Sequence, residues 1–278
     1  MGLTVLIGVC VAICWGIPDV WLARAARSVG ALPTVIGSIA IGLALTSPLV
    51  LFAGMPHVTL RGALLILLMG ALTMVGYLIA FSAFRFGKVS VVAPIIACEG
   101  AVAAVISIAL GESMDVRALA LLPIAVIGVV LAAMGGGAEG SGGAKRAAIA
   151  ALLWGGVLVL AAPVADEVGW MWGFILVRLV ALLLAIPLGI RAGVTTKARL
   201  DWKNVAGWGI GDSAASLLFI IGADRGNIAV LSVLAAQFAT VGVIAGFLIL
   251  GERLRPRQWV GIVLVILAVT GVAAVGFL

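Results

Sequence analysis

Long apolar runs follow one another along the whole chain, separated by short polar stretches. Ten can be marked, at about 3–22, 31–53, 62–84, 89–110, 116–137, 146–164, 170–190, 203–222, 228–250 and 257–277. Each is close to the length of about 20 residues that a helix needs to cross a bilayer. They are continuously apolar and too long for barrel strands. The pattern predicts an all-α integral membrane protein with ten transmembrane helices. The short connections leave no soluble domain. The first run is longer than a signal core and has no basic leader, so it is expected to stay as a membrane helix.

A second, longer period lies on top of the first. The run AICWG ends on Trp15 and Gly16, and ALLWG ends on Trp154 and Gly155, 139 residues later. Gly87 opens RFGKVSVVAP at the start of the fourth helix, and Gly226 in DRGNIAVLSV opens the ninth, again 139 later. ALGESMDVRAL and ILGERLRPRQW close the same two helices, with Glu112 and Glu252 140 apart. Each half holds five helices. Five is odd, so the second half enters the membrane from the opposite side, which predicts two inverted five-helix repeats. The expected boundaries are 1–137 and 146–278. The Gly-rich MGGGAEGSGG at 134–143 is expected to act as a flexible linker, taken as 138–145.

Composition agrees with a lipid setting, at 64% hydrophobic and 10% charged residues. The net charge of +6 therefore speaks of topology rather than of nucleic acid. Loops after helices 1, 3, 5, 7 and 9 carry 13 Lys and Arg, from Arg24 and Arg27 to Arg253, Arg255 and Arg257. The opposite loops carry three, Arg61, Arg117 and Arg225, and Arg178 is left inside a helix. The positive-inside rule places the 13 in the cytoplasm and both termini outside. Trp21, Trp202 and Trp259 are expected at one interface, Trp170 and Trp172 at the other.

These residues resemble the EamA family of the drug/metabolite transporter superfamily. The resemblance rests on the Trp-Gly pairs of helices 1 and 6, Pro94 in helix 4, and the Gly-Glu closing helices 4 and 9. It spans the chain as two repeats. It implies an exporter or exchanger of small metabolites, often amino acids, with a central cavity between the halves. Two departures stand out. Helix 9 has Val233 and Leu234 where helix 4 has Pro94. Family members usually keep their termini in the cytoplasm, opposite to the charge count here.

The candidate chemistry is a small set of polar groups at mid-membrane depth. A charge at the bilayer centre costs about 2.5–3.5 kcal/mol on insertion scales, so such groups face the bundle interior or a wet cavity. Glu99, Arg178 and Asp212 all sit near the middle of their runs. Asp212 is the expected partner of Arg178, because helices 7 and 8 are consecutive; the pair is either structural or functional. Glu99 has no evident cation in its own half, which makes it a candidate proton carrier or a neutral hydrogen-bonding acid. An internal alignment sets Gln237 opposite Glu99. Trp15 and Asp19 share a face of helix 1 across Pro18, with Asp19 within reach of Arg24. Trp154 is the repeat mate of Trp15. Tyr77 shares a face with Thr73, and Trp208, Asp212 and Ser216 form a stripe on helix 8. The candidate substrate cavity is thus Trp15, Asp19, Tyr77, Glu99, Trp154, Arg178, Trp208, Asp212, Ser216 and Gln237. The glycine pairs Gly207–Gly211 and Gly242–Gly246 fit close helix packing.

Other classes fare poorly. HExxH, GxSxG and P-loop patterns are absent from the sequence. Cys10, Cys14, Cys98 and His57 do not fall at metal-ligand spacings. No catalytic residue, metal or cofactor is expected. The predicted partners are a small-molecule substrate and the bilayer, with no nucleic acid and with a monomer as the working expectation. The reading is a multi-pass protein of the cell (inner) membrane, a secondary transporter exporting small metabolites, plausibly amino acids or aromatic amino acids, by alternating access. The alternatives are a facilitated uptake or exchange carrier, or a non-transport membrane protein such as a lipid-flippase accessory subunit.

Overall fold

The computed structural model describes residues 2–111, 116–133, 137–194, 201–225, 231, 234, 235 and 237–275. Glu112, Gly226 and Val233, used above, lie outside them, as do Lys197 and Arg199, two of the 13 basic loop residues. The described chain is helical: α1 (Gly2–Gly16), α2 (Pro18–Ser28), α3 (Ala31–Thr46), a 3-10 turn (Ser47–Phe52), α4 (Leu60–Phe86), α5 (Val89–Ile96), α6 (Glu99–Ala109), α7 (Val116–Ala133), α8 (Gly137–Val168), α9 (Trp170–Arg191), α10 (Trp202–Arg225), α11 (Phe238–Leu250) and α12 (Pro256–Val275). Among the described residues, five stretches are long and apolar enough to cross a membrane: Val5–Ser28, Ala31–Phe52, Leu60–Phe86, Gly142–Val168 and Trp170–Arg191.

Two of the apolar runs, the first and the fourth, are built from two helices each. Pro18, at the start of α2, lacks the N–H that would continue the α1 ladder, so the first crossing jogs there. The fourth breaks between α5 and α6, where the Cys98 N–H reaches back three residues to the Ile95 carbonyl at 3.2 Å. Pro94 stands one turn earlier. Before α11 the same irregularity recurs. The Gln237 N–H reaches Leu234 at 3.1 Å, and Val241 bonds Gln237 as Val102 bonds Cys98, both at 3.0 Å. The break therefore does not require the proline. It also fixes the internal alignment: Cys98 corresponds to Gln237, 139 residues on, and Glu99 corresponds to Phe238. The expected pairing of Glu99 with Gln237 is one residue out of register. The extra residue of the second half falls later, between Val241 and Glu252.

Packing follows the same exchange of halves. Helix α8 packs on α4 and α6, and α1 packs on α10 and α11. A Cβ on Gly155 would meet the Val102 side chain at 2.5 Å, and one on Gly16 would meet Val241 at 2.6 Å. Both are bare-backbone contacts that a larger side chain would hold apart. Residues 137–143 of the Gly-rich stretch are helical and open α8. Gly143 there serves close approach: a Cβ on it would lie 2.5 Å from the Gly87 Cα. Trp21, Trp170, Trp202 and Trp259 are exposed on the helix bundle, as rings at membrane–water boundaries would be.

Candidate functional site

Among these helices lies a cavity of about 340 Å³. Its walls come from α1, α2, α4, α5 and α6 of the first half and α8, α9, α10 and α11 of the second. Nine of the ten residues named from sequence line it: Trp15, Asp19, Tyr77, Glu99, Trp154, Arg178, Trp208, Asp212 and Ser216. Gln237 is not on its wall. Its side-chain amide donates to Thr270 Oγ1 at 2.7 Å, and its oxygen accepts from Thr240 Oγ1 at 3.0 Å. Phe238, the true counterpart of Glu99, takes the wall position instead.

Ten of the seventeen lining residues fall into five pairs at the 139-residue offset: Trp15 with Trp154, Asp19 with Leu158, Thr73 with Asp212, Tyr77 with Ser216, and Glu99 with Phe238. At these positions the two halves contribute equivalent residues to the cavity. The frame is symmetric and the chemistry is not. Each acid faces an apolar or merely hydroxylic counterpart.

The centre of the site is an ion pair. Arg178 Nη2 bonds Asp212 Oδ2 with both side chains largely buried. The Trp15 indole N–H donates to the other Asp212 oxygen at 3.2 Å. The guanidinium also stacks on Phe174, with Cζ 3.8 Å from the ring centroid. Its Nη1 is buried without a hydrogen-bond partner, and so is Thr73 Oγ1 on the facing helix α4. Asp212 thus answers the Arg178 charge. Among the described residues, no cation pairs with Asp19 or Glu99. Asp19 does not turn to Arg24; it is buried, facing the Trp208 indole.

Aromatic rings form the rest of the wall, seven in all: Trp15, Tyr77, Phe84, Trp154, Phe174, Trp208 and Phe238. Tyr77 is the hub, with edge-on contacts to Trp154 at 5.4 Å, Trp208 at 5.6 Å and Phe81 at 5.6 Å. Such packing holds the rings in place. Sequence reasoning missed Phe84, Phe174, Phe238, Leu22, Ile96, Val157 and Leu158. Phe238 was readable from the 139 offset set by Trp15 and Trp154; Leu22 and Phe84 carry no polar signal at all.

The cavity is sealed at the end that carries most of the basic residues. There Leu22, Phe84, Ile96 and Trp208 are all buried. Toward the other end its lining opens: Leu158 is exposed, and Phe174 and Ser216 are half-buried.

The comparisons with known proteins agree with this architecture. A solved structure described as "Crystal structure of protein" superposes with a TM-score of 0.63, at 17% identity, over 98% of each chain, which shows a shared fold. A search of curated proteins finds no match. The EamA-like transporter family model matches twice, over residues 2–134 and 142–274, once for each half. With both halves matched over nearly its full length, the chain belongs to the EamA-like transporter family and is a membrane transporter of the drug/metabolite type.

Proposed function

We propose that the protein is a secondary transporter of ten membrane crossings, built as two inverted five-helix repeats, 1–137 and 146–278, joined through 138–145. It lies in the cell (inner) membrane with its termini outside. The observation that carries the reading is the cavity to which the two halves contribute equivalent residues at five pairs of positions. Rocking of the repeats about such a site exposes it to each side in turn. The substrate is a small amine-bearing metabolite of amino-acid type, moved outward. Asp19 and Glu99 are carboxyl groups that no cation among the described residues answers, so they suit an ammonium group. Seven rings suit an aromatic or apolar side chain and the face-on approach of a cation. Glu99, at the α6 start and without a hydrogen bond or ion pair to another described residue, is the group suited to exchange a proton for substrate.

The test is direct. Purified protein in nanodiscs is titrated with a panel of amino acids and amines while cavity tryptophan fluorescence and melting temperature are followed. Flux is then measured in sealed vesicles loaded on either side. Saturable flux of an aromatic amino acid or amine supports the reading. Binding confined to carboxylates without an amine, or no flux from either side, overturns it.

A further inference from the structure

The Gly-Glu that closes α11 is a cross-link between the halves. Gly251 adopts φ 64, a left-handed turn that glycine takes without strain, and the Glu252 N–H bonds back to the Gly246 carbonyl at 3.1 Å. That turn sends the Glu252 side chain sideways out of its own half. Its carboxylate accepts from the Val89 N–H at 2.8 Å, the Ser90 N–H at 2.8 Å and Ser90 Oγ at 2.6 Å. These are the first free N–H groups of α5, in the other half, which a carboxylate satisfies well. Arg27, at the end of α2, stands 3.8 Å from Glu252 and donates to the Gly87 carbonyl at 2.7 Å. Lys88 Nζ donates in turn to the Arg253 carbonyl. Glu252 and Ser90 are both buried.

The place of this junction matters. It lies at the basic end, where the cavity is sealed. It draws α11 onto α5 so closely that a Cβ on Gly246 would lie 2.7 Å from Glu252 Oε2 and 3.1 Å from the Ser90 nitrogen. One turn deeper, a Cβ on Gly242 would lie 3.1 Å from Ala93 and 3.7 Å from Asp19 Oδ2, which lines the cavity. Opening the basic end requires α5 and α11 to part, and the Glu252 bonds are what they would have to break. A fold cap inside one half would be indifferent to that motion; this one bridges residues 163 apart.

We propose that Glu252 is the positioning residue that latches the basic end of the cavity shut, by holding α11 of the second half on the α5 start of the first. Its release belongs to the step in which the cavity turns to the other side. The inference rests on the alternating-access reading above, but its test reads shape rather than substrate.

Spin labels on Arg85→Cys and Arg257→Cys, both exposed positions, report the distance across the basic end of the full chain in nanodiscs, with Cys10, Cys14 and Cys98 changed to alanine. Glu252→Ala should raise a longer-distance population by about tenfold or more, the worth of one lost charge-assisted hydrogen bond. Glu252→Gln, which keeps one acceptor, should raise it less. Ser90→Ala, which leaves both backbone bonds, should raise it least. If Glu252→Ala fails to fold, the other two variants carry the test. A folded Glu252→Gln with a lowered melting temperature and an unchanged distance distribution overturns the proposal and leaves Glu252 as a cap of the fold. A shifted distribution in a protein that binds no amine sustains the latch and overturns the substrate reading instead.

Discussion

Glu99 and Phe238 present their carbonyl oxygens to equivalent glycines. A Cβ on Gly155 would lie 3.0 Å from the Glu99 oxygen, and one on Gly16 would lie 2.6 Å from the Phe238 oxygen. Each glycine thus lets a first helix of one half lie against the broken helix of the other, at the level where the break points its residues into the cavity. The acid and the ring are two uses of one backbone position.

That relationship predicts how glycine substitutions rank. Gly16→Ala and Gly155→Ala each push a methyl group against backbone and a β-branched side chain. Overpacking of this kind costs about 1–3 kcal/mol, more than the helix propensity that alanine brings. Gly100, one residue from Glu99, has nothing within 4 Å of its would-be Cβ. Gly100→Ala should be neutral or stabilising. Thermal unfolding in one detergent orders the three; a Gly16→Ala protein as stable as Gly100→Ala would refute the close approach.

The Arg178–Asp212 pair should behave as a unit. Removing one partner leaves the other buried and uncompensated, a loss of roughly 3–5 kcal/mol. Asp212→Ala should be the worse of the two, because it also strands the Trp15 indole and leaves the Arg178 charge with no carboxylate beside it. Arg178→Ala leaves Asp212 its Trp15 bond. The double variant should lose less than the two single losses added together, and simple additivity in melting measurements would show that the groups are not coupled.

Topology gives a third expectation. Eleven of the 13 basic residues lie in the described chain: Arg24 and Arg27 in α2, Arg85 at the end of α4, Lys88 before α5, Lys145 and Arg146 in α8, Arg191 at the end of α9, Lys203 in α10, and Arg253, Arg255 and Arg257 between α11 and the start of α12. Both termini should therefore be extracytoplasmic. A C-terminal phosphatase fusion should be active and a fluorescent reporter that matures only in the cytoplasm should be dark. The opposite result would place the latch at Glu252 on the outer side without altering its contacts.

The sequence was legible where physics is periodic or costly. Apolar run length marked five stretches that are long enough to cross a membrane, and the cost of a midplane charge pointed to Glu99, Arg178 and Asp212. The offset between Trp15 and Trp154 held for five pairs of residues on the cavity wall. What could not be read was direction. Asp19 sits one turn from Arg24 in sequence, yet its side chain turns inward to Trp208, because Pro18 jogs the helix there. Glycine content at 134–143 suggested flexibility, whereas Gly143 is small so that two backbones can touch. The Gly-Glu of α11 looked like a repeat marker; its reach across to Ser90 is long-range, and no local pattern contains it.

Under the proposed exchange of proton for substrate, Glu99 is the group to test. It starts α6 just past the break, it borders the cavity, and neither Phe238 opposite nor its neighbours Trp154 and Tyr77 offer it a full charge. The charged groups that line the same cavity are Asp19, Asp212 and Arg178, and the last two answer each other. A carboxyl so placed can hold either a proton or the ammonium group of a substrate, and two occupants that compete for one site are thereby exchanged. Glu99→Gln keeps the shape and one hydrogen-bonding face while removing the proton. Substrate flux in reconstituted vesicles should then lose its dependence on pH through the neutral range, and an imposed proton gradient should no longer drive accumulation. Binding should weaken for amines and stay unchanged for uncharged aromatic analogues. Parallel pH profiles of the two proteins would remove Glu99 from coupling and leave Asp19 as the remaining acid without a cation among the described residues. The matching variant, Asp19→Asn, would then be the one to flatten the profile.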